Sequence, residues 1–249
     1  MQSLELLTPD WPAPAHVRAA CSTRTGGVST GRYRSLNLGD HVGDDGAAVA
    51  ENRRRFATAL TVRPVFMQQV HGVGVRRLDA ASPDGGTADG CFTQEAGLAC
   101  TIMVADCLPV LFTDPRGRQV AAAHAGWRGL AAGVLEQTLG TFGAEPVWAW
   151  LGPCIGPNAF EVGAEVKAAF EARLGDAASA RFRPAGSEGK WMADLPALAR
   201  LHLASAGVAA VYGNDGSDAW CTVRNPLRFF SHRRDGVSGR FAACIWKAA

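Results

Sequence analysis

Leu98–Asp114 reads LACTIMVADCLPVLFTD: two near-continuous apolar runs joined by Ala105-Asp106-Cys107. Runs of this kind predict strands buried on both faces, because a half-buried strand would alternate polar and apolar residues. The turn DPRG (Asp114–Gly117) closes the second run, with proline at its second position. A third apolar run, QVAAAHAG, follows from Gln119. Three such strands in succession call for layers on both sides and point to an α/β fold.

The flanking sequence supplies those layers. HVRAACST (from His16) and the C-terminal RFAACIWK (from Arg240) predict strands, as do PVFMQQVHG (from Pro64) and PVWAWLG (from Pro146). Ala47–Leu60 has helical spacing, with Val49, Phe56 and Leu60 as its apolar face. WRGLAAGVLEQTLGTFG (Trp127–Gly143) predicts one helix through Leu130, Val134, Leu135 and Leu139, stopping at Gly143. GAEVKAAFEARLG (from Gly163) and LPALARLHLASAG (from Leu195) predict two more, the latter with Pro196 in its first turn. There is no repeat, low-complexity block or linker, so residues 1–249 are expected to form a single domain.

Composition narrows the function classes. Apolar residues make up 47% of the 249, enough for a substantial core, and the net charge of +2 gives no footprint for nucleic acid or an anionic membrane. No run approaches the ~20 apolar residues that span a bilayer, and MQSLELLTPDWPAP does not read as a secretory signal. The seven cysteines are odd in number and lack CxxC spacing. They are expected to be reduced thiols of a cytoplasmic protein.

Polar residues gather at the ends of the buried strands: His71 after QQV, Cys107 after TIMVAD, His124 after VAAA and Cys154 after WAWLGP. Loops beyond strand ends are where α/β sheets build their sites. Two imidazoles and a thiolate suit zinc, and three ligands leave one position open. Copper would accept the same donors. Cys107 also reads as a thiol nucleophile with His124 or His71 as base, or as a small packing residue. Asp106 is placed to orient a ligating histidine or to act as general acid, and Pro109 stiffens the backbone after Cys107. Arg128, opening a helix in HAGWRG, and Arg24, beside two glycines in TRTGGVS, are candidate anion contacts. SLNLGDHVGDD (from Ser35) puts Asn37, Asp40, His41 and Asp44 in a loop of turn formers and caps. SHRRDG (from Ser231) reads equally as a solvated turn or a binding loop. Cys154 reads as a cleft residue or as filler of a tight loop, and His202 as a surface or hydrogen-bonded helix residue.

STRTGGVS, SLNLGDHVGDD, ENRRRF, QQVHG, ADCLPVLF, HAGWRG, GPCIG and SHRRDGVSGR occur in this order from Ser22 to Arg240. With them the sequence resembles the laccase-domain family, once described as bacterial polyphenol oxidases, now as purine nucleoside phosphorylases, and including peptidoglycan-editing members. The resemblance implies a mixed-sheet α/β sandwich related to a group of proposed cysteine hydrolases. It implies zinc on His71, Cys107 and His124, the same residues being catalytic. It implies phosphorolysis of adenosine, inosine and methylthioadenosine together with adenosine deamination. Arg24, Asn37 and Arg128 are the expected substrate-binding residues, and purine nucleosides and phosphate the expected partners. A copper-dependent phenol oxidase and a cysteine or zinc hydrolase of cell-wall precursors stay open beside this reading, as does oligomeric state.

Overall fold

A computed structural model describes residues 3–248. In chain order the first elements are strands β1 (Leu6–Leu7) and β2 (Val17–Ser22), helix α1 (Gly46–Leu60), and strands β3 (Arg63–Val65), β4 (Val75–Arg77) and β5 (Gly90–Thr93). The centre holds β6 (Leu98–Val104), β7 (Leu108–Thr113), β8 (Val120–Ala125), α2 (Trp127–Ala132), α3 (Val134–Gly140) and β9 (Trp148–Leu151). Then come β10 (Glu161–Gly163), α4 (Ala164–Leu174), α5 (Asp176–Ser179), β11 (Phe182–Pro184), β12 (Lys190–Ala193), α6 (Leu195–Ser205), β13 (Ala210–Gly213), α7 (His232–Asp235) and β14 (Phe241–Lys247).

Among the described residues these strands make three sheets. One has the order β1-β2-β14-β6-β3, the second β13-β9-β7-β8-β5-β4, and β10-β12-β11 form a small antiparallel third. Both large sheets are mixed: β3 runs parallel to β6 in the first, and β13 to β9 in the second, while most other pairs are antiparallel.

Side-chain alternation explains the stacking, since successive Cβ atoms leave a strand on opposite faces. In β6, Cys100, Ile102 and Val104 pack with Leu111, Val120 and Ala122 of the second sheet. Ala99 and Met103 point the other way, onto Phe56 and Leu60 of α1. In β7 and β8, Leu108, Val110, Phe112, Ala121, Ala123 and Ala125 meet the helices, through Leu130, Leu135, Val166 and Leu198. The layers are therefore α1, five-stranded sheet, six-stranded sheet, helices. Every residue of β6, β7 and β8 is buried because each of these strands has a layer on both faces. The expected mixed-sheet α/β sandwich is the observed architecture.

Two of the expected elements take a different form. The helix from Trp127 is two helices, broken at Gly133, whose φ of +103° no other residue type adopts readily. Both halves keep their apolar residues on one packed cluster, so the sequence spacing runs through the break. The strand expected from Pro64 pairs only as far as Val65. Beyond it the Phe66 amide turns to the Asp84 carboxylate, and the Gln69 side chain bonds both N and O of Met103. These side-chain bonds replace the ladder and lift the chain off the sheet toward His71. The small third sheet went unpredicted because its strands, three or four residues each, are too short to display a period.

The break at Gly133 is testable. The Arg173 guanidinium lies 2.8 Å from where a Cβ would stand. Gly133→Ala is expected to destabilise the fold by about 1–3 kcal/mol, read as a lower midpoint in urea denaturation.

Candidate metal centre

β7 and β8 bring the site together. Pro109 and His124 are register partners, and His124 shares the parity of Val120 and Ala122, which face the opposite sheet. Cys107, two residues before Pro109, packs against the same inter-sheet cluster. The site therefore sits at the mouth of the seam between the two large sheets.

One ligand atom each from His71, Cys107 and His124 lie within 4.8 Å of one another. Cys107 Sγ is 3.8 Å from His71 Nε2, and the two imidazole rings meet edge to face at 4.7 Å between centroids. His124 is buried, Cys107 half-buried and His71 exposed, so the cluster opens to solvent on one side. Gly126 makes the close approach possible: a Cβ there would fall 2.8 Å from His71 Cδ2 and 3.0 Å from Cys107 Sγ.

A residue that the sequence reading passed over holds the arrangement. Asp89, fully buried just before β5, accepts from His124 Nδ1 at 2.8 Å and from the His71 amide at 2.9 Å through Oδ1. Its Oδ2 accepts from the amides of Val70 (3.1 Å) and Gly72 (2.7 Å). Burial pushes this carboxyl up, but the His124 bond and the Gly72 and Val70 amides more than compensate and hold it below the usual carboxylate range. With Nδ1 of His124 engaged by Asp89, Nε2 is the nitrogen left for a metal. The Asp89 backbone carbonyl also accepts the His124 amide, at 2.7 Å.

Asp106, expected to orient a histidine or serve as acid, bonds no histidine and has both carboxylate oxygens engaged elsewhere. Its Oδ1 accepts from Thr222 Oγ1 at 2.5 Å and its Oδ2 from the Arg233 amide at 2.7 Å. These bonds hold Asp106 at a φ of +96° and so aim the next residue, Cys107. His71 likewise has positive φ, +61°, held by Asp89. Non-glycine residues adopt such angles at a cost of order 1–3 kcal/mol, and the flanking hydrogen bonds offset it. The SHRRDG segment is thus a clamp: Arg233 supplies the amide to Asp106, and Arg234 bonds the carbonyls of Thr222 and Phe229.

The electrostatics suit a thiolate. Burial raises the Cys107 thiol, but His124 and His71 more than reverse this and leave it at about 6. Burial lowers His124, whereas Cys107 and Asp89 lift it to about 9. Arg240 adds a cation on the same side: burial pulls its guanidinium down, and Cys107 and Asp106 push it back up. Thiolate and imidazole nitrogens with one face open form a borderline-soft, three-donor set that fits a zinc-like ion with a free position.

The remaining candidates lie apart from this cluster. Arg128 is exposed at the start of α2, stacked on Trp127 at 4.4 Å. Arg24 donates to the carbonyls of Arg34 and Pro226 and stacks on Phe230. It lines a separate cavity of about 600 Å³ with Arg32 and Asp235. Asn37 is fully buried: its NH₂ bonds Gly39 O and Asp44 Oδ2, and its oxygen accepts from the Gly39 and Arg240 amides. No side-chain valence of Asn37 is left for a ligand, so its part is to shape the loop carrying Asp40 and His41. Cys154 is buried filler, with Asn214 Nδ2 at 3.4 Å from its sulfur. His202 is not at the surface. It is fully buried, with Nδ1 on Glu136 and Nε2 without a partner among the described residues.

A buried carboxylate–imidazole pair beside a cysteine, at the mouth of a sheet sandwich, gives this α/β protein a three-donor cluster that could hold a metal ion. Residues 18–248 match the family described as multi-copper polyphenol oxidoreductase laccase, and the chain belongs to that family. A purine nucleoside phosphorylase of Pseudomonas aeruginosa is 52% identical over 96% of this chain and 97% of its own. The purine nucleoside phosphorylase YfiH of Escherichia coli is 48% identical over 97% and 98%. Among solved structures, the Neisseria meningitidis protein NMB0706 superposes with a TM-score of 0.93 at 46% identity, covering 98% of this chain and 99% of that one. No helix among the described residues is long and apolar enough to cross a membrane.

Two outcomes follow for the site. Asp89→Asn replaces an acceptor of four N–H bonds by a group that must donate at one end, and metal affinity is expected to fall by about 10–100-fold in a competition titration with a chelating dye. In metal-free protein, iodoacetamide should alkylate Cys107 with a rate that rises through a midpoint near pH 6, while the thiols of Cys21, Cys100 and Cys154, pushed up by burial, stay inert.

Proposed function

We propose that this protein is a zinc-dependent purine nucleoside phosphorylase, with the metal on His71, Cys107 and His124. Adenosine, inosine and methylthioadenosine are its substrates, and it also deaminates adenosine. The observation that carries the reading is the convergence of three soft and borderline donors within 4.8 Å in a chain close to half identical to proteins named purine nucleoside phosphorylases. Phosphorolysis places a phosphate oxygen on C1′ of the ribose as the C1′–N9 bond breaks. It therefore needs a cationic seat for phosphate and a way to stabilise the departing purine. The exposed guanidinium of Arg128, four residues after His124, is the phosphate contact in this reading, with Arg24 and the Asn37 loop shaping the far side of the substrate's approach. When bound, the ion supplies Lewis acidity at the open face of the cluster. Asp89 fixes the ring of His124, and Gly126 keeps the space before Cys107 clear.

Zinc is favoured over copper by the site count. The chain has six histidines, and the described residues hold one three-donor cluster, too few for several copper centres. One observation favours a second reading, hydrolysis by a nucleophilic thiol acting on an amide or ester such as a cell-wall precursor. The order Cys107, His124, Asp89 matches nucleophile, base and orienting acid, and the thiol is held at about 6. Metal ligation and nucleophilic attack compete for one sulfur, so metal-free protein that hydrolyses until Cys107 is alkylated would favour the thiol.

The direct test is mass spectrometry of products from adenosine, with and without phosphate, on protein of measured metal content. The expected products are adenine and ribose 1-phosphate only when phosphate is present, with inosine reporting deamination. Intact nucleosides under all conditions would reject the proposal. Arg128→Ala should depress phosphate-dependent turnover more than deamination, and unchanged phosphate dependence would remove Arg128 from the site.

A further inference from the structure

The phosphorylase reading leaves one requirement without a residue. A purine leaves C1′ poorly as an anion, so a proton must reach it. The two carboxylates beside the metal ligands are committed, Asp89 to four N–H groups and Asp106 to Thr222 and Arg233.

A cleft of about 390 Å³ reaches Val70, the neighbour of His71, and is lined by Asp40, His41, Arg53, Phe66 and Gln69 among others. Its volume is within the usual range for small-molecule sites. Val70 immediately precedes His71, so the cleft and the metal cluster share the segment that Asp89 holds. His41 is the titratable base in this cleft. Its Nδ1 is 3.5 Å from Asp40 Oδ1, and Asp40 Oδ2 takes Arg53 Nη2 at 3.1 Å. Arg53 is itself anchored, with Nε on the Leu38 carbonyl at 2.9 Å and its guanidinium 4.2 Å over the Phe66 ring. The Asp40 carboxylate lies on the Nδ1 side of the ring, so Nε2 is the atom open to a ligand, and the half-exposed ring has room to meet one. The charged groups facing it are Asp40, Arg53 and Arg240. Burial and Arg240 pull the imidazole below its ordinary value, and Asp40 opposes them.

Resting on the phosphorylase reading, we propose that His41 is the catalytic acid, contacting the purine in this cleft and protonating its N7. A phosphate oxygen donates an electron pair to C1′, and the C1′–N9 pair withdraws into the purine. The Nε2 proton of the His41 imidazolium goes to N7, leaving neutral purine, ribose 1-phosphate and neutral imidazole. The proton lost by the phosphate hydroxyl to solvent balances the one that recharges His41.

The experiment compares wild type and His41→Gln, both with metal content measured, on inosine and on 7-methylinosine with phosphate. The methylated purine already carries its positive charge on the ring and leaves without a proton. The expected result is a loss on the order of 10²-fold in kcat for inosine, with turnover of 7-methylinosine and metal content kept. Equal losses on both nucleosides, or no loss on either, would overturn the assignment of His41 while leaving the phosphorylase reading standing. Wild type that cleaves neither nucleoside would overturn both. Added imidazole should restore inosine turnover to His41→Gly, and absence of rescue in a variant that still turns over 7-methylinosine counts against proton transfer.

Discussion

The buried carboxylate of Asp89 accepts four N–H bonds from two distant parts of the chain, the ring of His124 on β8 and three successive amides at Val70, His71 and Gly72. A single group thereby sets the tautomer of one candidate ligand and the backbone of another. Without it, His71 would have no reason to stay at a positive φ in an exposed segment, and a buried His124 would lack a partner for Nδ1. Burying a carboxylate is costly unless its lone pairs are filled, and here they are. The energy that keeps Asp89 ionised is the energy that gathers the site.

The sandwich makes this possible. β5 is antiparallel to β8, so the residue before β5 lies opposite the end of β8, where His124 stands. β7 is antiparallel to β8 on its other side and brings the Asp106–Cys107 turn to the same edge. That turn is fixed from the opposite end of the chain, by Thr222 and the Arg233 amide. Three long-range connections converge on one edge of one sheet. A folded core and an organised site are thus the same achievement, and small distortions at Asp89 or Asp106 would be felt at the candidate metal centre.

Much of this architecture can be read in the chain itself. β6, β7 and β8 are legible because burial on both faces leaves continuous apolar runs, and α1 and α6 because one face is apolar and an aspartate caps each. Cys107 and His124 are legible because polar residues stand out at the ends of such runs, whereas His71 lies six residues beyond the last paired residue of β3. Asp89 is not: between Ala88 and Gly90 it looks like any turn aspartate, and only the β5–β8 register reveals its partners. Its one local sign is Gly90, where a Cβ would meet Thr138 Oγ1 at 2.8 Å and Val75 at 3.0 Å, marking a tightly packed strand start. Asp106 misleads for the opposite reason. Adjacency to Cys107 suggests a shared task, but a residue at φ +96° sends its side chain away from its neighbour's, toward the α7 segment.

X-ray absorption at the zinc edge of the purified holoprotein reads the ligand set of the ion itself. Ligation by His71, Cys107 and His124 gives one sulfur at about 2.3 Å and two imidazole nitrogens at about 2.0–2.1 Å, with a light-atom donor completing the shell. A shell without sulfur, or with a single imidazole, would contradict it.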